Sequence, residues 1–228
     1  MSNALPLPAA ASAPPSGKVA GYAIAASAVL MIVAIAMHPQ AQHRHMTEAV
    51  VDVARLAPML AFMHGTAIAF VLALLYGMCV YSLRRGIRRE PVLGAMILYA
   101  AGTGVLVLAA LIDGFLVSAI ARSYVGASPD AMRSGASILS ACGAAIQILS
   151  KFGIVMLAAA IALWAADLVR DGGRLRVAAI AGFAAGLVSL AVLFAGGPSL
   201  TPLTLSIIVI AQGIWYIALA SLLVQERV

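Results

Sequence analysis

VAAIAGFAAGLVSLAVLFAGGPSLTPLTLSIIVIAQGIWYIALASLLVQ, Val177 to Gln225, runs for 49 residues without one acidic or basic side chain. An α-helix rises about 1.5 Å per residue, so about 20 residues cross the roughly 30 Å hydrocarbon layer of a bilayer. The stretch is therefore two spans, and GGPSLTP (Gly196 to Pro202) is the break between them. Upstream, charges punctuate the chain in the same way. Lys18 precedes an uncharged run to Met37; Leu56 to Leu83 ends at RRGIRRE (Arg84 to Glu90). Pro91 to Ala121 contains only Asp113, and Ser134 to Ala166 contains only Lys151.

These runs predict six spans, at about 19–37, 56–83, 91–121, 134–166, 177–195 and 203–225. Hydrophobic residues make up 64% of the 228-residue chain and charged ones 10%, against about 25% charged in ordinary globular proteins. Lipid has to be the solvent for so much apolar surface, and lipid offers no partner to an open backbone group. The expected fold class is all-α: a polytopic membrane protein, a six-transmembrane-helix bundle in residues 18–228. Residues 1–17, MSNALPLPAAASAPPSG, are rich in Pro and Ala and uncharged, and read as a disordered tail. The first span reads as a retained helix that also directs insertion, because the segment after it is a weak match to a cleavage site.

Orientation follows from Lys and Arg. One side would carry nine of them: Lys18, Arg84, Arg85, Arg88, Arg89, Arg170, Arg174, Arg176 and Arg227. The other side would carry four: Arg44, Arg55, Arg122 and Arg133. Both termini are expected in the cytoplasm of a cell with this protein in its inner membrane, and the loop His38 to Glu48 on the periplasmic or external side. The net charge of +6 comes from short clusters at span ends, so nucleic acid is excluded as a partner. Cys79 and Cys142 lie inside apolar runs at different depths and have no metal spacing.

Counting residues from the basic side gives depths at about 1.5 Å each. His38 is 20 residues beyond Lys18, His64 is 20 before Arg84, and Asp113 is 22 beyond Pro91. All three fall about 30 Å up, at the outer edge of the hydrocarbon. With Trp164 taken as an inner interfacial anchor, Lys151 lies about 20 Å up, and Ser140, Gln147 and Lys151 share one stripe of their helix. Asp113 is the one carboxylate inside the predicted spans, so an Asp113–Lys151 ion pair is expected. Gln212 sits mid-span in the last helix.

Methionines accompany the outer histidines: Met37 beside His38, Met46 after His43 and His45, and Met63 beside His64, with Met59 a turn away. Thioether and imidazole together suit copper. His38 and His64 at equal depth suit the axial positions of one haem b, and with Asp113 they form a formal two-His, one-carboxylate set. The expected function is metal binding at this outer site, copper favoured, or haem binding, in a redox, metal-handling or sensing role. The alternative is transport or proton handling, or an accessory subunit, built on Asp113, Lys151, Gln147 and Gln212. A membrane-protein partner or a second copy is compatible with either. The chain lacks GxSxG, HExxH, Walker and Rossmann patterns, which argues against hydrolase or nucleotide chemistry and leaves enzymatic activity an open question leaning to none.

Overall fold

The structure, a computed structural model, describes residues 16–37, 46–197 and 199–228, with backbone alone at 46 and 47. His38, His43, His45 and the greater part of the 1–17 tail lie outside the described residues. The described residues form helices and short connections, with no strand among them. The helices are α1 (Gly17–Ala36), α2 (Met46–Arg85), α3 (Glu90–Leu111), α4 (Val117–Tyr124), α5 (Pro129–Leu168), α6 (Gly173–Ala195) and α7 (Pro202–Val224). A π turn, Ile112–Leu116, joins α3 to α4 in one continuous rod. Six rods are long and apolar enough to cross a membrane, which makes this a multi-pass membrane protein.

Three of the rods are longer than the spans predicted from charge. α2 and α5 each have 40 residues, about 60 Å, whereas α1, α6 and α7 have 20 to 23, about 30 to 35 Å. Glu48, Asp52, Arg55, Arg122, Asp130 and Arg133 lie within the extra turns. A charged side chain marks where the hydrocarbon ends, and it is no obstacle to a helix continuing into water. True ends are set by backbone chemistry. α5 and α7 begin where Ser128 and Thr201 cap the N–H groups of Ala131 and Thr204, each followed by Pro at the first helical position. α2 stops at Gly86, whose φ of +93° belongs to the left-handed region.

The six rods stand in a ring in sequence order, each packed on its chain neighbours, and α7 closes against α1. Small residues set the close crossings. A β-carbon at Gly21 would stand 2.9 Å from the Ala220 carbonyl oxygen, so only glycine lets α1 meet α7 there. Gly102 and Gly153 face each other across α3 and α5, a β-carbon on either falling 3.1 to 3.2 Å from the other's carbonyl oxygen. That contact fixes the vertical register of the two longest-packed helices.

The end carrying RRGIRRE, the start of α1 and the end of α7 is the basic end. Its interior holds one apolar core, centred on aromatic rings. Trp164 is fully buried, with Tyr99 at 5.2 Å, Tyr81 at 6.0 Å and Trp215 stacked at 6.1 Å between centroids. Trp164 is therefore a core residue and not the interfacial anchor its position suggested; its Nε1–H donates to Ser82 Oγ at 3.2 Å instead of to water or a headgroup. Trp215 and Tyr216 bring α7 into this same core.

Candidate functional site

The described structure places two polar clusters inside the bundle, one near each end of the α2–α3 hairpin. The first joins His64 of α2 to Asp113 of the π turn. His64 is 8% exposed. Its Nδ1 lies 2.9 Å from the carbonyl oxygen of Leu60, one turn earlier, and its Nε2 lies 3.1 Å from Asp113 Oδ2. The Asp113 side chain is 35% exposed, so the pair is buried on the imidazole side and accessible on the carboxylate side.

The π turn makes this contact possible. Its backbone bond from the Val117 N–H reaches back five residues to the Ile112 carbonyl, so the turn is wider than an α turn and Asp113, its second residue, leans onto α2. Gly114 follows, and a β-carbon there would lie 2.5 Å from His64 Cβ and 2.8 Å from Cγ. The imidazole occupies the space that any other residue at 114 would fill.

The proton content of the pair follows from its geometry. A carbonyl oxygen only accepts, so the contact to Leu60 is a hydrogen bond when Nδ1 carries the hydrogen. A neutral imidazole would then present a bare lone pair at Nε2, directly against a carboxylate lone pair. A hydrogen bond at 3.1 Å requires one proton between them, held as imidazolium–carboxylate or as imidazole–carboxylic acid. A neutral imidazole makes one of the two bonds, through Nδ1–H or through Nε2–H, and one added proton makes both.

Asp113 is paired with His64, and the ion pair expected with Lys151 is not the one formed. Outward from the Gly102–Gly153 contact, Asp113 is 11 residues away (113 − 102) and Lys151 only two (153 − 151). The difference of nine residues is about 13 Å along the bundle, twice what a lysine stem spans. Gln147 also faces elsewhere. Its Oε1 accepts the Leu200 N–H at 2.7 Å and its Nε2 donates to the Leu200 carbonyl at 3.4 Å, pinning the α6–α7 connection to α5. Gln212 donates to Ser189 Oγ at 3.2 Å, linking α7 to α6.

Of the residues suggested as metal ligands, Met37 is exposed at the end of α1 and Met63 is half-buried. Among the described residues no group of three His, Cys, Asp or Glu side chains is placed to hold a metal ion. Both cysteines are free thiols.

The second cluster was not anticipated. Asp167, 2% exposed, lies one residue past the predicted end of the fourth span. Its Oδ2 accepts from Arg85 Nε at 2.8 Å, and its Oδ1 accepts from Arg89 Nη1 at 3.0 Å. Arg85 also reaches Asp171 at 2.5 Å. The sequence did carry a signal: Asp167 and Asp171 are four apart, on one helical face, opposite four arginines in six residues. The cluster ties α2, the start of α3 and the end of α5 together directly below Tyr81 and Trp164. Its two acids and two bases satisfy one another, so it has the character of a structural clasp.

No protein-family model matches the chain, and no curated protein or solved structure is significantly similar to it.

Proposed function

We propose that this chain is an inner-membrane protein with both termini in the cytoplasm, and that the His64–Asp113 pair binds and releases one proton near the outer end of the bundle. It would act as a proton-coupled transporter or proton sensor. One observation carries this reading: both ring nitrogens of a buried histidine lie within hydrogen-bond distance of acceptors, and one added proton satisfies both contacts at once. Ionisable groups within a bundle of this kind are costly unless they work as relays or partners. The Asp113 carboxylate is the more exposed partner and would be where a proton enters, with the buried imidazole as its fixed acceptor.

Acid favours the proton-bound arrangement, and base withdraws the proton and leaves two lone pairs opposed. Histidine 15N NMR of the protein in bilayers, scanned from about pH 5 to about pH 9 around the usual imidazole range, tests this. A His64 titration step is expected, and it should be altered in Asp113→Ala. A His64 resonance whose titration is unchanged in that variant would refute the pair as a unit.

The metal reading takes the same atoms. Histidines that ligate metals commonly donate their other ring N–H to a backbone carbonyl, as His64 does to Leu60. A metal would displace the shared proton and use Nε2 with an Asp113 oxygen, two donors in all from the described residues. Copper with Met63 nearby, or a haem b on His64, are the forms this would take, and any remaining ligand would come from His38, His43 or His45. Stoichiometric copper or a Soret band in the purified protein, lost in His64→Ala, would favour this reading over the proton.

The topology has its own test. Reporter fusions at Gly86 and Gly172 should read cytoplasmic, and a fusion in the loop from His38 to Glu48 should read external. An external signal at Gly86 would invert the site.

A further inference from the structure

We propose that the lipid-facing furrow between α3 and α6 holds one anionic phospholipid of the leaflet at the basic end, with its acyl chain on α5 and its phosphate on Arg170 and Arg176. This site is separate from the proton site and independent of it.

In the basic half of the bundle α5 is the recessed helix. α3 and α6 each pack on it and make no substantial contact with one another among the described residues. Met156 and Leu163 face α3, where β-carbons on Gly102 and Gly94 would stand 3.0 Å from Met156 Cβ and 3.3 Å from Leu163 Cδ1. Ala158 and Ala165 face α6, where β-carbons on Gly186 and Gly182 would stand 3.1 Å from the Ala158 carbonyl oxygen and from Ala165 Cβ. At about 100° per residue, the lipid-facing stripe left between these two contacts carries Val155, Ala159, Ala162 and Ala166.

Side-chain size gives the furrow its depth. No residue of α5 from Gly153 to Leu168 is exposed, whereas Ile97 on α3 and Ile180 on α6 stand out into lipid. Toward the middle of the bilayer Phe152 and Ile148 are exposed beside the same stripe and close the furrow. The floor from Val155 to Ala166 spans 11 residues (166 − 155), about 16 Å. Half of the roughly 30 Å hydrocarbon is one leaflet, so the floor has the reach of one acyl chain.

The mouth of the furrow is basic. Arg170 lies one turn beyond Ala166. Gly182 is level with Ala165, so Arg176, six residues earlier in the antiparallel α6, is level with Arg170. Both are exposed, and neither has an acid partner among the described residues. The clasp uses Arg85 and Arg89 against Asp167 and Asp171 and leaves these two guanidiniums their charge. Guanidinium forks match phosphate oxygens, and a phospholipid brings phosphate and apolar chain joined at this spacing. A second copy docked on the same face by a two-fold axis would bring an identical basic rim against this one. A choline headgroup would add a cation beside the two arginines, which favours a lipid whose only charge is its phosphate.

Native mass spectrometry of the full chain, released from micelles containing equal amounts of phosphatidylglycerol and phosphatidylcholine, tests this. One phosphatidylglycerol should be retained in preference. Arg170→Gln and Arg176→Gln should each weaken retention about 5-fold, and together about 30-fold, the effect of one and two basic side chains near an anionic surface. Arg174→Gln removes the same charge two residues away but about 200° around α6, and should leave retention within about 2-fold. Ala162→Phe fills the furrow and should lower retention about 10-fold, the contact of two methylenes of the chain. Ala159→Leu is the milder filling, and thermal unfolding in the same micelles shows whether each variant is folded. Equal retention of the two lipids overturns the proposal, as does an Arg174→Gln loss as large as that of Arg176→Gln. Unchanged retention in a folded furrow-filling variant, or displacement of the lipid by inorganic phosphate alone, also overturns it.

Discussion

Replacing Asp167 with Asn should lower the stability of the fold by about 3 to 5 kcal/mol, the range found when one partner of a buried ion pair is removed. Asp167 is almost fully enclosed and accepts from two arginines. The amide would leave Arg85, itself largely buried, with Asp171 as its remaining acid, and would oppose one N–H of Arg89 or Arg85 with another. The arginines come from α2 and the turn before α3, so the loss releases the hairpin that carries both polar clusters. The penalty belongs to the stranded charge. Arg85→Met combined with Asp167→Leu should therefore be markedly less damaging than the single change. Unfolding titrations in mixed micelles would measure it. A loss under about 0.5 kcal/mol, the scale of an ordinary surface substitution, would show that the clasp is open in solution.

Trp164→Ala should cost about as much, 3 to 5 kcal/mol, by a different mechanism. Trp164 touches Tyr81, Tyr99 and Trp215, so its indole is shared by rings from α2, α3 and α7. Its removal leaves a cavity that three rigid helices cannot close, and Ser82 Oγ loses its donor. Trp164→Phe should recover a large part, because it keeps ring contacts and loses only the hydrogen bond and some volume. Equal losses in the Ala and Phe variants would mean that the bond to Ser82, and not the packing, carries the effect. The same protocol applied to a lipid-facing residue such as Phe194 should show little change.

Reading Trp164 as an interfacial residue, and leaving Asp167 just outside the span that ends at Ala166, had one cause. Both lie near the calculated edge of a span, where an apolar count assigns a side chain to headgroup or water. Helix rotation decides otherwise, and it points both inward. The expected Asp113–Lys151 pair failed for a related reason. The sequence shows one acid and one base inside the spans but not the offset between two helices, which the Gly102–Gly153 contact sets. The depth count put His64 and Asp113 at a common level, and the structure places them in contact. The π turn that joins them leaves no trace in hydropathy, because one extra residue in an apolar run changes neither its length nor its composition appreciably.

What the amino-acid sequence determined by itself is the number of crossings and their approximate places. That is a local quantity: the transfer of about 20 consecutive residues into hydrocarbon sums over each segment independently of its neighbours. Which polar groups meet was decided only by the tertiary structure. A contact of about 3 Å depends on the rotation and height of two helices at once, and these are set by glycine crossings, an aromatic core and a single widened turn. His64 could have faced lipid, the loop or Lys151 with the same hydropathy profile. The width of one turn and the absence of a side chain at Gly114 place it against Asp113.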